Sequence, residues 1–195
     1  NAILESGQNA GNQRPRPSSL MHYSTIKWID IANGEGVRVS LFVSGCTRHC
    51  KNCFNEIAWD FTHGDVFDES VEERILTALQ SDYIAGVSLL GGEPLEPQNQ
   101  RALYPFVKRL KKTFPQKTVW CYTGCTFDDK SGMLKDTQKN TEVTKDLIAL
   151  FDVLVDGPYL EELKDVRLKF RGSSNQRIID VKKSLIKGEC VLYIE

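Results

Sequence analysis

Four short apolar runs constrain the fold of this chain more than any other feature: "VRVSLFVSG" (37–45), "IAGVSLL" (84–90), "KTVWCYTG" (117–124) and "FDVLVDGPY" (151–159). Each has the length and the β-branched or aromatic content of a buried strand, and each runs into glycine. Helical patterns separate them. "DESVEERILTALQ" (68–80) sets Val71, Ile75, Leu76 and Leu79 on one face, behind a capping Asp and an acidic first turn. From about Gln98 to Phe114, Leu103, Phe106, Val107, Leu110 and Phe114 recur at helical spacing, with Pro105 expected to delay or kink the start. "EVTKDLIAL" (142–150) is the third helix. The order β-α-β-α-β-α-β predicts an α/β fold, a mostly parallel sheet covered by helices with right-handed crossovers. "TIKWIDIA" is expected to pair with the first run as a hairpin across "NGEG" (33–36). The C-terminal "RIIDVKKSLIKGECVLYIE" reads as one or two closing strands around a Lys-Gly turn, forming a solvated edge.

Parallel strands have a positional consequence. Their loops converge beyond the carboxyl ends, where ligands collect in α/β architectures. "GCTRHCKNC", "GGEP", "YTGC" and "DGPY" each follow a strand in the same sense. They are expected to share one rim.

With 195 residues, 41% of them hydrophobic, the chain has the profile of one domain, expected over residues 21–195. Residues 1–20, rich in Asn, Gly, Ser and Pro, read as a disordered tail or an expression remnant. Twenty-five basic and 26 acidic side chains leave a formal charge of −1, which provides no footprint for nucleic acid or an anionic membrane. No apolar run approaches the roughly 20 residues that span a bilayer, and residues 1–20 lack a signal-peptide core, so a cytoplasmic setting is expected. Crowded cysteines in a reducing compartment more often bind metal than form disulfides.

Cys46, Cys50 and Cys53 lie in "GCTRHCKNCFN" (45–55), and no fourth cysteine follows within sixty residues. A structural zinc site needs four Cys or His ligands. His49 is adjacent to Cys50 and joins such a site only through a sharply folded loop; Cys121, Cys125 or Cys190 is the distant alternative. Thiolates at this spacing better suit one face of an iron–sulfur cubane, for which ferredoxins supply four cysteines. Three thiolates leave one iron open, the arrangement that distinguishes catalytic metal sites from closed ones. In "GGEP" (91–94), Gly91 and Gly92 permit close backbone approach, Glu93 offers an acceptor for an ammonium group, and Pro94 stiffens the turn. A ligand-free strand-to-helix turn is the alternative reading.

Cys46-Thr-Arg-His-Cys50-Lys-Asn-Cys53, followed by Phe54, resembles the signature of radical S-adenosylmethionine enzymes, and "GGEP" resembles that superfamily's second motif. "IDIANGEGVRVSLFVSGCTRHCKNCFN", "GGEPLEPQN", "DVLVDGPY" and "RGSSNQR" extend the resemblance from about Met21 to Gln176 and narrow it to the glycyl-radical-enzyme activases of anaerobic ribonucleoside-triphosphate reductase. The resemblance implies a [4Fe-4S] cluster on Cys46, Cys50 and Cys53 whose open iron chelates S-adenosylmethionine. Reductive cleavage then yields a 5′-deoxyadenosyl radical that takes hydrogen from a glycine of the large reductase subunit. It also implies an electron donor of the flavodoxin type, and a β/α barrel of the radical SAM type, partial and open because a closed one takes about 250 residues. Cofactor contacts are expected from Asn52, Cys53, Phe54, Gly91, Gly92, Glu93, Pro94 and Asp156. Arg171, Ser173 and Asn175, in "RGSSNQR" (171–177), are candidates for a clamp on substrate or cofactor. The alternatives are loop packing for Asn52 and Phe54, a helix-capping acid for Asp156 and a polar turn for 171–177. The runner-up activity is that of a pyruvate formate-lyase activating enzyme, although its usual Asp-x-Lys is here Asp156-Gly157-Pro158; a non-catalytic iron–sulfur electron carrier is the other. Cys121 is expected as buried packing and Cys125 as a partly exposed loop thiol, with a redox pair as the alternative.

Overall fold

A computed structural model describes residues 20–194. The tail expected over residues 1–20 lies outside them except for Leu20, whose carbonyl accepts Gln98 Nε2 at 2.9 Å. The strands are β1 (His22–Asp30), β2 (Val37–Val43), β3 (Asp65–Val66), β4 (Ile84–Gly91), β5 (Thr118–Tyr122), β6 (Phe127–Asp128), β7 (Met133–Leu134), β8 (Val153–Asp156), β9 (Arg177–Asp180) and β10 (Leu192–Ile194). The helices are α1 (Glu69–Ala78), α2 (Pro97–Thr113), α3 (Thr144–Leu150) and α4 (Val181–Lys187). Among the described residues eight strands form one sheet in the order β10-β9-β8-β5-β4-β2-β1-β3, and β6 pairs with β7 in a second sheet.

The α/β expectation holds. β2, β4, β5 and β8 run parallel at the centre, flanked by antiparallel β1 and β3 on one side and β9 and β10 on the other. The sheet is open, with β3 and β10 as its edges. Its β10 edge is tied back to the β1–β2 turn, where Tyr193 donates its hydroxyl to Glu35 Oε2 at 2.6 Å and packs its ring on Trp120.

The helical faces read from the sequence supply the core. Ile75 of α1, Phe106 and Leu110 of α2, and Leu147 and Ile148 of α3 join Leu41, Val87, Leu89, Val119 and Leu154 of the sheet in one buried cluster. Asp68 caps α1, accepting the Val71 amide at 3.0 Å. Burial of such a face contributes about 25 cal/mol per Å² of apolar surface removed from water, which outweighs the modest propensity of helices as short as α3. On the other side of the sheet, Trp120, Val153, Val155 and Ile178 form a smaller cluster. Arg38 is 1% exposed near the amino ends of the parallel strands. All five of its N–H groups have neutral acceptors, on Ser88, Glu35, Thr118 and Val87. Burial lowers its pKa to about 10.

Two local expectations are corrected. Pro105 does not delay the start of α2, which runs from Pro97 through it. Pro105 is exposed, so the carbonyl it deprives of a donor faces water. The C-terminal segment is not strand throughout: α4 intervenes, capped by Asp180 accepting the Lys183 amide at 3.0 Å and ended by Gly188 at φ +66°. Among the described residues no helix is long and apolar enough to cross a membrane.

Candidate functional site

The loops expected to share a rim are joined to one another by hydrogen bonds. The Glu93 amide donates to Gly45 O at 2.9 Å, linking the "GGEP" turn to the cysteine loop. Glu93 Oε1 accepts Thr123 Oγ1 at 2.7 Å and Glu93 Oε2 accepts the Gly124 amide at 2.8 Å, linking the same turn to the loop after β5. The Gly157 amide donates to Cys125 O at 2.9 Å, linking that loop to the one after β8. Gly92 is required by close approach, since a Cβ there would stand 2.6 Å from Gly45 O and 2.8 Å from Ala58 O. Gly91, at φ +112°, occupies a conformation that side chains resist.

Within the cysteine loop the two halves differ. Residues 45–48 are pinned: Gly45 N to Ala58 O at 2.8 Å, Cys46 N to Trp59 O at 3.2 Å, Thr47 N and Oγ1 each to Glu96 Oε1 at 2.8 Å, and Arg48 Nη2 to Asp136 Oδ2 at 3.0 Å. The second half holds itself, through the Cys53 amide on Cys50 O at 3.1 Å and the Asn55 amide on Cys53 Sγ at 3.4 Å. His49 and Asn52 take left-handed conformations, φ +48° and +58°. His49 stacks on Trp59 with centroids 4.4 Å apart.

Cys46 is buried, while Cys50 and Cys53 are half-buried; all three are free thiols. They share one loop without converging on a point: among the described residues no three His, Cys, Asp or Glu side chains are grouped to hold a metal ion. Burial, with the nearby Glu93 and Glu96 carboxylates, pushes the Cys46 thiol up to about 11, and burial also raises Cys50. The donor set fits a cluster, which takes one thiolate at each of several irons and therefore tolerates wider spacing than a single tetrahedral ion.

The remaining candidates divide by exposure. Phe54 is 87% exposed beside the cysteines. Glu93 is 1% exposed. Besides Thr123 and Gly124 its carboxylate accepts the Leu95 amide at 2.9 Å, and Arg48 Nε stands 3.6 Å away. Burial raises its pKa and these donors pull it back. Pro94 is buried in the same turn. Asp156, 1% exposed, accepts Arg177 Nε at 2.9 Å, Arg177 Nη2 at 2.5 Å and the Phe127 amide at 2.8 Å. It caps no helix. The 171–177 segment largely closes on itself and on the β8 loop: Arg171 Nη1 donates to Gln176 O at 2.9 Å, Asn175 Nδ2 to Pro158 O at 2.7 Å, and Ser173 Oγ accepts the Leu160 amide at 3.3 Å. Asn175 Oδ1 is buried and has no hydrogen-bond partner among the described residues.

Cys125 corrects an expectation. It is fully buried rather than partly exposed, with its thiol pushed up to about 12 by burial and by Glu93. Cys121 is buried as expected. Sequence reasoning also passed over Thr47, Arg48, Glu96, Thr123, Asp136 and Lys139. Glu96 alone carried a signal, three residues after Glu93 in the same loop.

A groove of about 350 Å³ runs between Arg48, Cys50 and Lys51 on one wall and residues 158–162 on the other. A second hollow, about 430 Å³, lies between Trp28 and Glu73, Arg74 and Thr77 of α1, with no rim loop in its walls. The groove, not the hollow, adjoins the cysteines.

Residues 32–179 match the family model of a 4Fe-4S single cluster domain. The anaerobic ribonucleoside-triphosphate reductase-activating protein of Haemophilus influenzae is 40% identical over 161 residues, covering 82% of this chain and 95% of the relative. That of Pasteurella multocida is 41% identical over 160 residues, covering 81% and 96%. The protein of the same name from Enterobacteria phage T4 is 35% identical over 158 residues, covering 81% and 93%. With an iron–sulfur domain model spanning most of the chain and relatives matched over nearly their whole length, the chain belongs to the family of anaerobic ribonucleoside-triphosphate reductase-activating proteins.

Proposed function

We propose that this chain is a radical S-adenosylmethionine activase, with Cys46, Cys50 and Cys53 as the ligands of a [4Fe-4S] cluster and the large subunit of an anaerobic ribonucleoside-triphosphate reductase as its substrate. The observation that carries the reading is the joining of a three-cysteine loop to a Gly-Gly-Glu turn, with Gly92 packed on Gly45 and Ala58. When bound, the cluster and S-adenosylmethionine supply one-electron cleavage of the sulfonium to methionine and a 5′-deoxyadenosyl radical that takes hydrogen from a glycine, the electron coming from a donor of the flavodoxin type. The chain's own residues position and shield. Cys46 is held by the pinned half of its loop, and Cys50 and Cys53 lie on the half with fewer restraints. Glu93 braces the turn rather than offering a free carboxylate, leaving the backbone of Gly91 and Gly92 as the surface for the cofactor's methionine end. Phe54 supplies an exposed aromatic face beside Cys53 for the adenine. The groove between Cys50 and residues 158–162 gives the glycine-bearing segment its approach. Its opening to solvent limits how far this chain alone excludes water, so the docked reductase completes the enclosure.

The test is anaerobic reconstitution with iron and sulfide, then reduction with S-adenosylmethionine present. Four irons per chain, release of methionine and 5′-deoxyadenosine, and a glycyl radical seen by electron paramagnetic resonance on adding the reductase are expected. Cys50→Ala should abolish cluster binding. Four bound irons without cleavage would sink the enzyme reading, and a radical formed only on pyruvate formate-lyase would replace the substrate.

A further inference from the structure

Glu96 and Lys139 form a buried ion pair that the reading above leaves without a task. Their residues are 2% and 8% exposed, and Lys139 Nζ lies 2.5 Å from Glu96 Oε1. A buried pair is a weak contributor to stability, because the desolvation of two ions offsets most of their attraction. Its placement is more informative. Glu96 is the residue before α2, and its Oε1 receives the Thr47 amide, the Thr47 hydroxyl and the Lys139 ammonium together. Lys139 also donates to Thr47 Oγ1. Thr47 is bonded to Cys46. The pair thus joins the start of α2 and the 137–139 turn to the residue beside the first cluster cysteine. Arg48, one residue further, reaches the same segment through Asp136.

We infer that Glu96 and Lys139 are positioning residues for the iron–sulfur cluster: they fix Thr47, and through it Cys46, as the anchored ligand onto which Cys50 and Cys53 close, and they keep the charge beside the cluster balanced. The inference rests on the assignment of Cys46, Cys50 and Cys53 as ligands. Charge and hydrogen bonding around a cluster set its potential. Deleting the ammonium leaves a carboxylate alone next to Cys46 and opposes adding an electron. Deleting the carboxylate leaves an ammonium and favours it. A pair that served folding alone would lower stability in both variants without moving the potential in opposite directions.

The test uses the full chain with Lys139→Met, Glu96→Gln and the double variant. In cluster-free protein, amide hydrogen exchange is followed in the peptide containing Thr47, with a β4 peptide as the internal gauge of global stability. Exchange at Thr47 should quicken about tenfold in either single variant while β4 changes less, the signature of local rather than global opening. In the reconstituted protein the cluster potential should fall in Lys139→Met, rise in Glu96→Gln and lie between them in the double variant. The double variant should also regain stability over Lys139→Met, since no buried charge is left unpaired. Exchange at Thr47 that quickens only in step with β4, or potentials that do not follow this order, would overturn the inference. Iron content undiminished by Cys46→Ala would overturn the ligand assignment and the inference together. Iron lost in Cys46→Ala with unchanged Thr47 exchange in Lys139→Met would overturn the inference alone.

Discussion

Glu93 shows how much of a side chain's surroundings its neighbours in sequence leave out. In "GGEP" it reads as an acceptor presented to a ligand, whereas in the fold its two oxygens take three donors from Leu95, Thr123 and Gly124. The turn itself was legible, because Gly-Gly before Pro ends a strand whatever surrounds it. The direction of the carboxylate was not, since two of its donors come from a loop thirty residues away. The same holds for Cys125, beside which the Arg48 side chain comes from a distant loop and lies across Gly124, where a Cβ would stand 2.5 Å from Arg48 Cδ. If Glu93 is a brace, its replacements separate cleanly. Glu93→Gln keeps an acceptor for Leu95 and Thr123 and loses one contact, costing about 1–3 kcal/mol; Glu93→Ala strands three buried donors at about that cost for each and should leave the chain largely unfolded. Urea denaturation of the cluster-free protein measures both. Equal stability of the two variants would mean that the carboxylate is free for a ligand after all.

At the scale of elements, the long periodic segments were legible and the short ones were not. α1, α2 and the four central strands follow directly from apolar spacing. α4 was hidden because Ile-Ile before it and Val-Leu-Tyr after it look like strand, although the Asp180 cap and Gly188 stop were both present in the sequence. The β6–β7 hairpin and the 137–139 turn, with two-residue strands, left no period to detect. Packing of these elements converges on Asp152, which precedes β8. It accepts the Val119 amide at 2.8 Å, Lys111 Nζ of α2 at 2.9 Å and Lys182 Nζ of α4 at 2.6 Å. Burial opposes its ionisation, but Lys182, Val119 and Lys111 prevail and hold its carboxyl below the ordinary 3.8. A depressed folded-state value contributes stability above the unfolded one and loses it as the pH falls through the folded one. Asp152→Asn should therefore cost about 1–3 kcal/mol near neutrality, from lost charge-assisted hydrogen bonds. The difference from the unaltered chain should begin to shrink near pH 3.8 and close below it. Chemical denaturation across that range checks the sign, and a difference that widens on acidification would refute the assignment.

For the whole molecule, the question is where a partner protein meets the rim. Near the amino ends of the parallel strands Tyr193 reaches Glu35 across 158 residues of sequence, and among the described residues β3 and β10 are the edges of the sheet. A formal charge of −1 gives the chain little net charge with which to steer a large partner, which directs attention to short-range shape and apolar contact at the site itself. The groove beside Cys50 has such a contact on its far wall: Leu160, half-buried, sits between Tyr159 and the acidic pair Glu161 and Glu162. Its backbone is already fixed, the amide on Ser173 Oγ and the carbonyl receiving Leu163 N at 3.0 Å, so a new side chain there changes the groove wall without releasing the loop. Leu160→Asp adds a third consecutive acid and removes an apolar contact whose burial is worth about 1.5–3 kcal/mol. If the reductase enters by this groove, the variant should bind four irons and cleave S-adenosylmethionine like the unaltered chain. Its glycyl-radical yield at limiting reductase should fall about tenfold or more, the equivalent of some 1.4 kcal/mol in the docking equilibrium. Raising the reductase concentration should restore the yield, because the defect lies in association and not in the chemistry. Full activation by Leu160→Asp at limiting reductase would place the entry elsewhere on the rim, and a loss of cleavage along with activation would return Leu160 to the cofactor's own enclosure.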